Sequence, residues 1–274
     1  MELVLESQPL ISVIMPSLNQ AEFLEQAIES VLGQNYSRIE LIVIDGGSTD
    51  GSREIIERYD QSIAFWVSEP DRGQSDALNK GFHRATGDIL GWLNSDDTYT
   101  SNALNEVAGV FQDPGINIAM CRTFDVTEAS GRVTRTMVNE YTGREGLIRF
   151  WRTDGPRVNQ PSIFFRRRLI DELALEADLD LHFAMDYDLW LRISQHYPIQ
   201  LVEGCWANYR FHERSKTIAS TDQFLPEWKK VSRRHWGKTG SWEWIQHTLS
   251  YVYYRYPRRY LRALLRRSGF KRNR

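Results

Sequence analysis

The chain has only two cysteines in 274 residues, Cys121 and Cys205, far apart and outside any C-x-x-C pairing. That excludes a disulfide framework or a zinc ribbon and makes a reducing compartment the expectation. No stretch approaches the roughly 20 consecutive apolar residues of a membrane-spanning helix. Met1 to Met15 carries Glu2 and Glu6 where a secretory signal would carry bases, so neither a cleaved leader nor a spanning segment is expected. There is no G-x-x-x-x-G-K-[ST], and no G-x-G-x-x-G follows the first apolar run, which removes an evident P-loop NTPase and a Rossmann dehydrogenase. Internal repeats and low-complexity linkers are also missing.

What is present is an ordinary globular composition, 41% apolar and 26% charged, on a chain long enough for one large α/β domain with an appendage. The net charge of −2 conceals an asymmetry. Residues 251–274 hold nine Lys or Arg and no acid, so the first 250 residues carry 25 cations against 36 acids, a net of −11. Between Tyr251 and Arg267 the basic end mixes Tyr and Leu with Arg, the pattern of an amphipathic helix resting on an anionic membrane surface. A nucleic-acid partner is not expected.

Apolar runs and helical periodicities alternate along the first half. Leu10–Met15 reads as a strand stopped by Pro16, and a helix follows in which Asn19 and Glu22 resemble a capping box. Then come strand Ile39–Ile44, helix Ser52–Tyr59, strand Ile63–Val67, helix Ser75–Ala85 and strand Asp88–Leu93. This is the signature of parallel βαβ units. The second half is less regular: strands over 116–140 with a turn near Ser130-Gly131, another over Pro161–Arg166, a helix over Met185–His196 and a strand over Ile199–Val202. Helical pattern resumes beyond Thr217.

Ligands of a parallel sheet bind beyond the carboxyl ends of its strands. The polar clusters fall there: Pro16-Ser17-Leu18-Asn19, Asp45-Gly-Gly-Ser-Thr-Asp50-Gly51, Glu69-Pro-Asp71-Arg-Gly73 and Asn94-Ser-Asp96-Asp97. Two adjacent carboxylates at a strand end suit a hard divalent cation completed by phosphate and water. Asp45, at a strand end before glycines that admit a ligand, suits hydrogen bonds to a nucleobase or ribose. Asp50 reads as the cap of the next helix. The histidines His83, His182, His196, His235 and His247 lack metal-ligand spacing and read as surface or packing residues.

These motifs, together with Ala77-Leu-Asn79-Lys-Gly81, resemble in order and spacing the family 2 glycosyltransferases of the GT-A fold, the bacterial polysaccharide-biosynthesis type, over roughly residues 10–217. The resemblance implies a Rossmann-like, mostly parallel central sheet flanked by helices: a GT-A domain over 1–217, with nucleotide-sugar binding in about 10–115 and acceptor binding and base in about 116–217, then a helical basic tail over 218–274. It implies that Asp45 contacts the nucleobase beside Pro16, Ser17 and Asn19. Asp96 would take the ribose side and join Asp97 as a ligand of Mn²⁺ or Mg²⁺ bridging the two phosphates. Glu69 and Asp71 would lie beside the nucleotide. Asp186, in Ala184-Met-Asp-Tyr-Asp-Leu-Trp-Leu-Arg192, would be the general base, with Met185 where the family commonly has Glu. Tyr209–Thr217 resembles a flexible closing segment in which His212 completes the metal shell and Arg210, Arg214 or Lys216 faces the diphosphate. Asn94 stands where relatives often have Asp, and Leu78 where they often have Arg.

The implied activity is metal-dependent, inverting transfer from a nucleoside diphosphate sugar, foremost a UDP-sugar, to a hydroxyl of a glycan or lipid-linked acceptor. The implied place is the cytoplasm, at the inner face of the membrane. Acceptor loops are expected within 122–160, with Trp151, Arg152 and Arg157. A non-catalytic nucleotide-sugar-binding scaffold and a sugar nucleotidyltransferase remain as alternatives; the latter would release pyrophosphate.

Overall fold

The computed structural model describes residues 8–149, 157–216 and 221–255. Of the expected features, Trp151, Arg152 and the basic end beyond residue 255 lie outside the described residues.

The first half follows the alternation. Strand β1 (Ile11–Ser17) leads to α1 (Ala21–Leu32), β2 (Ile39–Asp45), α2 (Ser52–Arg58), β3 (Phe65–Ser68), α3 (Gln74–Arg84) and β4 (Ile89–Trp92). Next come β5 (Thr98–Tyr99), α4 (Ala103–Val110), β6 (Ile118–Glu128), β7 (Val133–Val138) and α5 (Arg144–Ile148). A short 3-10 turn at Gln160–Ser162 precedes β8 (Ile163–Arg166), α6 (Arg168–Glu172), α7 (Met185–Ile193) and β9 (Gln200–Phe211). Two helices, α8 (Thr221–Arg234) and α9 (Trp242–Arg255), close the described chain.

One sheet runs β3-β2-β1-β4-β8-β6-β9-β5, with β7 on the outer part of β6. It is parallel through β3, β2, β1 and β4 and again between β6 and β9, whereas β8, β7 and β5 pair antiparallel. Every residue of β1 is buried because both faces are covered. Alternation sorts its side chains: Ile11, Val13 and Met15 face α1 and α4, while Ile14 faces α3 and α7. Ile42 and Ile44 against Leu41 and Val43 repeat the split in β2.

Three local differences from the sequence reading matter. Pro16 lies inside β1 rather than beyond it, opposite Ile44 of β2, where β4 has ended its pairing and no partner needs the missing N–H. Asn19 does not cap α1. It takes a left-handed φ of 52°, and Asp50 Oδ2 accepts from Ala21 N instead (2.9 Å), so the β2–α2 loop supplies the cap. β9 continues nine residues beyond Val202, to Phe211. Its register against β6 shifts twice, between Cys121/Thr123 and Thr123/Asp125, and Gly204 at φ +134° occupies the first irregularity. Such shifts erase the period-two pattern by which a strand is recognised. Tyr209 and Arg210, expected in a flexible segment, are therefore held in the sheet.

The described residues after 217 pack on the body of the protein. Val231 of α8 and Trp236 are buried in the same cluster as Trp190 and Phe165. Among the described residues, no helix is long and apolar enough to cross a membrane.

Candidate active site

Beyond the carboxyl ends of β1, β3 and β4 lie two adjoining clefts, of about 500 Å³ and about 330 Å³. They share Gln74, Asn94, Asp97, His182, Phe183, Tyr209 and Lys216 as a common wall. The first is floored by Pro16, Ser17, Asp71, Asp96 and Ser215; the second by Trp92, Arg157, Met185, Asp186 and Trp228.

Asp97 is 2% exposed and its Oδ1 accepts from Arg210 N (2.8 Å). Burial and the neighbouring Asp96 push its carboxyl well above the usual carboxylate range. His212 Nε2 sits 3.1 Å from Asp96 Oδ2, its ring 4.4 Å from Phe23, and its buried Nδ1 has no partner. Two crowded acids and an imidazole with an orphaned nitrogen form a donor set that fits a divalent cation.

Asn94 explains why an amide suffices beside this pair. Its Oδ1 accepts from Trp92 Nε1 (2.8 Å) and Gln74 Nε2 (2.7 Å), and its Nδ2 donates to Gln160 Oε1 (3.2 Å). An Asp here would add a third charge and lose the donor. Leu78 is fully buried in the core and lines neither cleft.

Asp45 does not line either cleft. It is 0% exposed and accepts from Gly47 N (3.2 Å), Ser48 N (2.9 Å), Ser48 Oγ (2.5 Å) and Ser68 Oγ (2.6 Å), so in this structure it shapes the loop rather than facing a base. The acid at the cleft is Asp71, which accepts from Gly73 N (2.8 Å) and whose carboxyl is pushed up by burial. Its Oδ2 lies 2.8 Å from where a Cβ on Gly46 would be, so the glycine makes room for it.

Asn19 also stands behind the cleft, accepting from Thr49 N (2.9 Å). Glu69 pairs with Lys80 (2.7 Å) and faces a groove on the far side of α3. Arg210 is 2% exposed, stacked over Phe23 (4.9 Å) and donating to Gln26 Oε1 (2.8 Å); it sits beside the acid pair rather than in the cleft. Two other cations line the first cleft: Arg214, paired with Glu22, and Lys216, whose Nζ donates to Gln74 Oε1 (2.6 Å). Burial lowers the Lys216 pKa, opposed by Asp96, Glu227, Asp186 and Asp71.

Asp186, on the first turn of α7, lines the second cleft. Burial pushes its carboxyl up to about 6, against the Tyr187 N–H (2.7 Å) and Lys216. A carboxylate poised near neutrality is what a general base needs. Sequence reading missed Gln74, His182 and Phe183, which wall both clefts, although Gln74 directly follows Gly73 and His182-Phe183 directly precede the Ala184–Arg192 segment.

A second acid and histidine group, Glu145, Glu243 and His247, lies elsewhere. Arg149 donates to His247 Nδ1 (3.3 Å) and pairs with Glu145 (3.2 Å), so Glu145 and His247 are already engaged with a cation, and His247 stacks on Trp236 as a packing residue.

Residues 12–174 match the family described as Glycosyl transferase family 2. The chain belongs to glycosyltransferase family 2. An uncharacterized glycosyltransferase of Rickettsia typhi is 30% identical over 224 residues, covering 78% of this transferase and 68% of the relative. Several other curated relatives align over less than half their own length. A Nostoc glycosyltransferase does so over 38% at 33% identity, covering 44% of this chain. The Bacillus subtilis glycosyltransferase TuaG, named for teichuronic acid biosynthesis, does so over 40% at 37% identity, covering 36% of this chain. Among solved structures, Staphylococcus aureus TarS 1–349 superposes with a TM-score of 0.65 at 15% identity, covering 89% of the transferase and 71% of TarS 1–349. The Pyrobaculum calidifontis mannosyltransferase PcManGT, solved with GDP-Man and Mn²⁺, superposes at 0.63 and 18% identity, covering 90% and 70%. These two likenesses establish the fold: the transferase shares its mixed sheet and flanking helices with them.

Proposed function

We propose that the first cleft holds a nucleoside diphosphate sugar and the second a glycan or lipid-linked hydroxyl acceptor, and that the sugar passes between them with inversion. The observation that carries this reading is the shared wall: Asp97 reaches both clefts, and Asp186 faces the acceptor side with its pKa raised to about 6. Asp186 takes the proton of the attacking hydroxyl as that oxygen approaches the anomeric carbon. Lys216, on both clefts, and Arg214 face the diphosphate. Ser17 and Ser215 offer buried hydroxyls without partners in the first cleft. Asp71 is the acid placed to read the base or ribose.

Asp96 and Asp97, with His212, would hold Mn²⁺ or Mg²⁺. When bound, such an ion neutralises charge on the departing diphosphate. TarS has been solved with UDP-GlcNAc and PcManGT with GDP-Man, which supports a nucleotide-sugar donor, and we take UDP as the nucleotide. The name of TuaG supports a role in cell-surface polysaccharide synthesis. We further place the protein at the cytoplasmic face of the membrane. Trp242 (71% exposed) and Leu249 (63%) stand seven residues apart on α9, leading into the basic residues 255–274.

The test is release of nucleoside diphosphate from UDP-, GDP- and dTDP-sugars with Mn²⁺, Mg²⁺ or chelator, beside Asp97→Asn. Metal-dependent release from one donor, lost in the variant, is expected. No nucleotide binding under any condition would overturn the reading.

A further inference from the structure

Asp186 is the second residue of α7, so its position depends on how that helix begins. A helix leaves its first N–H groups without intrahelical partners. Here the N-cap is Ala184, which has no side chain to cap with. The partner comes from 43 residues downstream. Glu227, on α8, accepts from Ala184 N (3.1 Å), from Phe183 N (2.7 Å) and, through both oxygens, from His182 N (3.0 Å each). One half-buried carboxylate thus gathers three consecutive backbone donors at the positive end of a helix, where a negative charge is stabilised.

The strip it holds matters to the site. His182 and Phe183 line both clefts, and Asp186 follows within one turn. The charged side chain bearing on Asp186 is Lys216, which in turn feels Glu227. The same first turn is tied to the C-terminal end of α8, where Arg234 Nη1 donates to the buried Asp188 Oδ1 (3.1 Å). Glu227 lies outside the family match over 12–174.

We infer that Glu227 is a positioning residue for the transfer reaction: its carboxylate clamps the backbone of residues 182–184 and thereby sets Asp186 and the shared wall, without touching either substrate. This rests on the reading of Asp186 as the base. A cap that serves stability alone would alter the melting temperature and leave the chemistry of Asp186 as it is.

The test compares Glu227→Ala and Glu227→Gln with wild type in the full chain. Glu227→Ala is expected to lower kcat of transfer about 10–100-fold, through misplacement of the base, with the Kd for the UDP-sugar within about threefold, the span of context scatter in single contacts. Glu227→Gln, keeping one acceptor oxygen, recovers part of the loss. Two readouts need no turnover. The amides of His182, Phe183 and Ala184 lose hydrogen-exchange protection in Glu227→Ala, and the Asp186 carboxyl, followed by NMR, titrates away from about 6 toward the ordinary carboxylate range. Unchanged kcat, protection and titration in both variants would overturn the inference, as would a loss of kcat matched by equal loss of donor binding. A wild-type protein that transfers no sugar yet shows the exchange and titration changes would instead sink the base assignment and leave the clamp standing.

Discussion

Asp45 and Asp186 are both carboxylates at the end of a regular element, yet the fold uses them in opposite ways. Asp45 spends its two oxygens on three donors of its own loop and the Ser68 hydroxyl. Asp186 accepts one N–H and is otherwise turned to the second cleft. Sequence shows residue type and strand end, which is enough to bring Asp96 and Asp97 to the wall of the first cleft. It does not show where Ser48 and Ser68 aim their hydroxyls, which is what withdraws Asp45 from the cleft. Two predictions belong here. Because the Asp186 pKa is raised from 3.8 to about 6, the protonated form grows as pH falls through 6, and a protonated base cannot accept the hydroxyl proton. A kcat–pH profile should therefore show an acid limb near 6, falling about tenfold per unit below it. Gly46→Ala puts a methyl against Asp71 Oδ2, so donor Kd should weaken, by about 1–3 kcal/mol, while the fold persists. Calorimetric titration with the donor or with UDP checks this.

At the level of elements, the strands and helices through β4 were legible because each is short, apolar or periodic, and bounded by glycine or proline. β9 was not, since its two register shifts break the alternation, and the cap of α1 was not, since it comes from Asp50 on another loop. Glu227 escaped for the same reason: the contact joins residues 43 apart. The α7–α8 pairing makes a further prediction. Asp188 is 2% exposed and meets Arg234 (3.1 Å) and Arg192 (3.6 Å). Asp188→Ala should cost about 1–3 kcal/mol, tempered by the partial exposure of both arginines. Urea unfolding measures it, and a midpoint unchanged from wild type would show that the pair carries no net stability.

At the scale of the whole molecule, covering both faces of the sheet leaves its carboxyl rim as the place where polar groups converge, and the two clefts occupy that rim. The amphipathic tail was read from its mixture of Tyr and Leu with Arg. Of it, the structure describes α9, where His247 is buried against Trp236 while Trp242 and Leu249 point outward. A chain shortened to residue 255 keeps this packing and discards eight of the nine terminal cations. It should float with anionic liposomes less than the full chain does, and equal flotation of the two would remove the membrane assignment. The account turns on Asp186 as base across a shared wall from the donor. The most direct measurement is the transfer rate and donor Kd of Asp186→Asn with the donor that wild type uses. A fall in kcat of about 10²–10⁴-fold with donor affinity preserved is predicted; transfer at near wild-type rate would contradict the account.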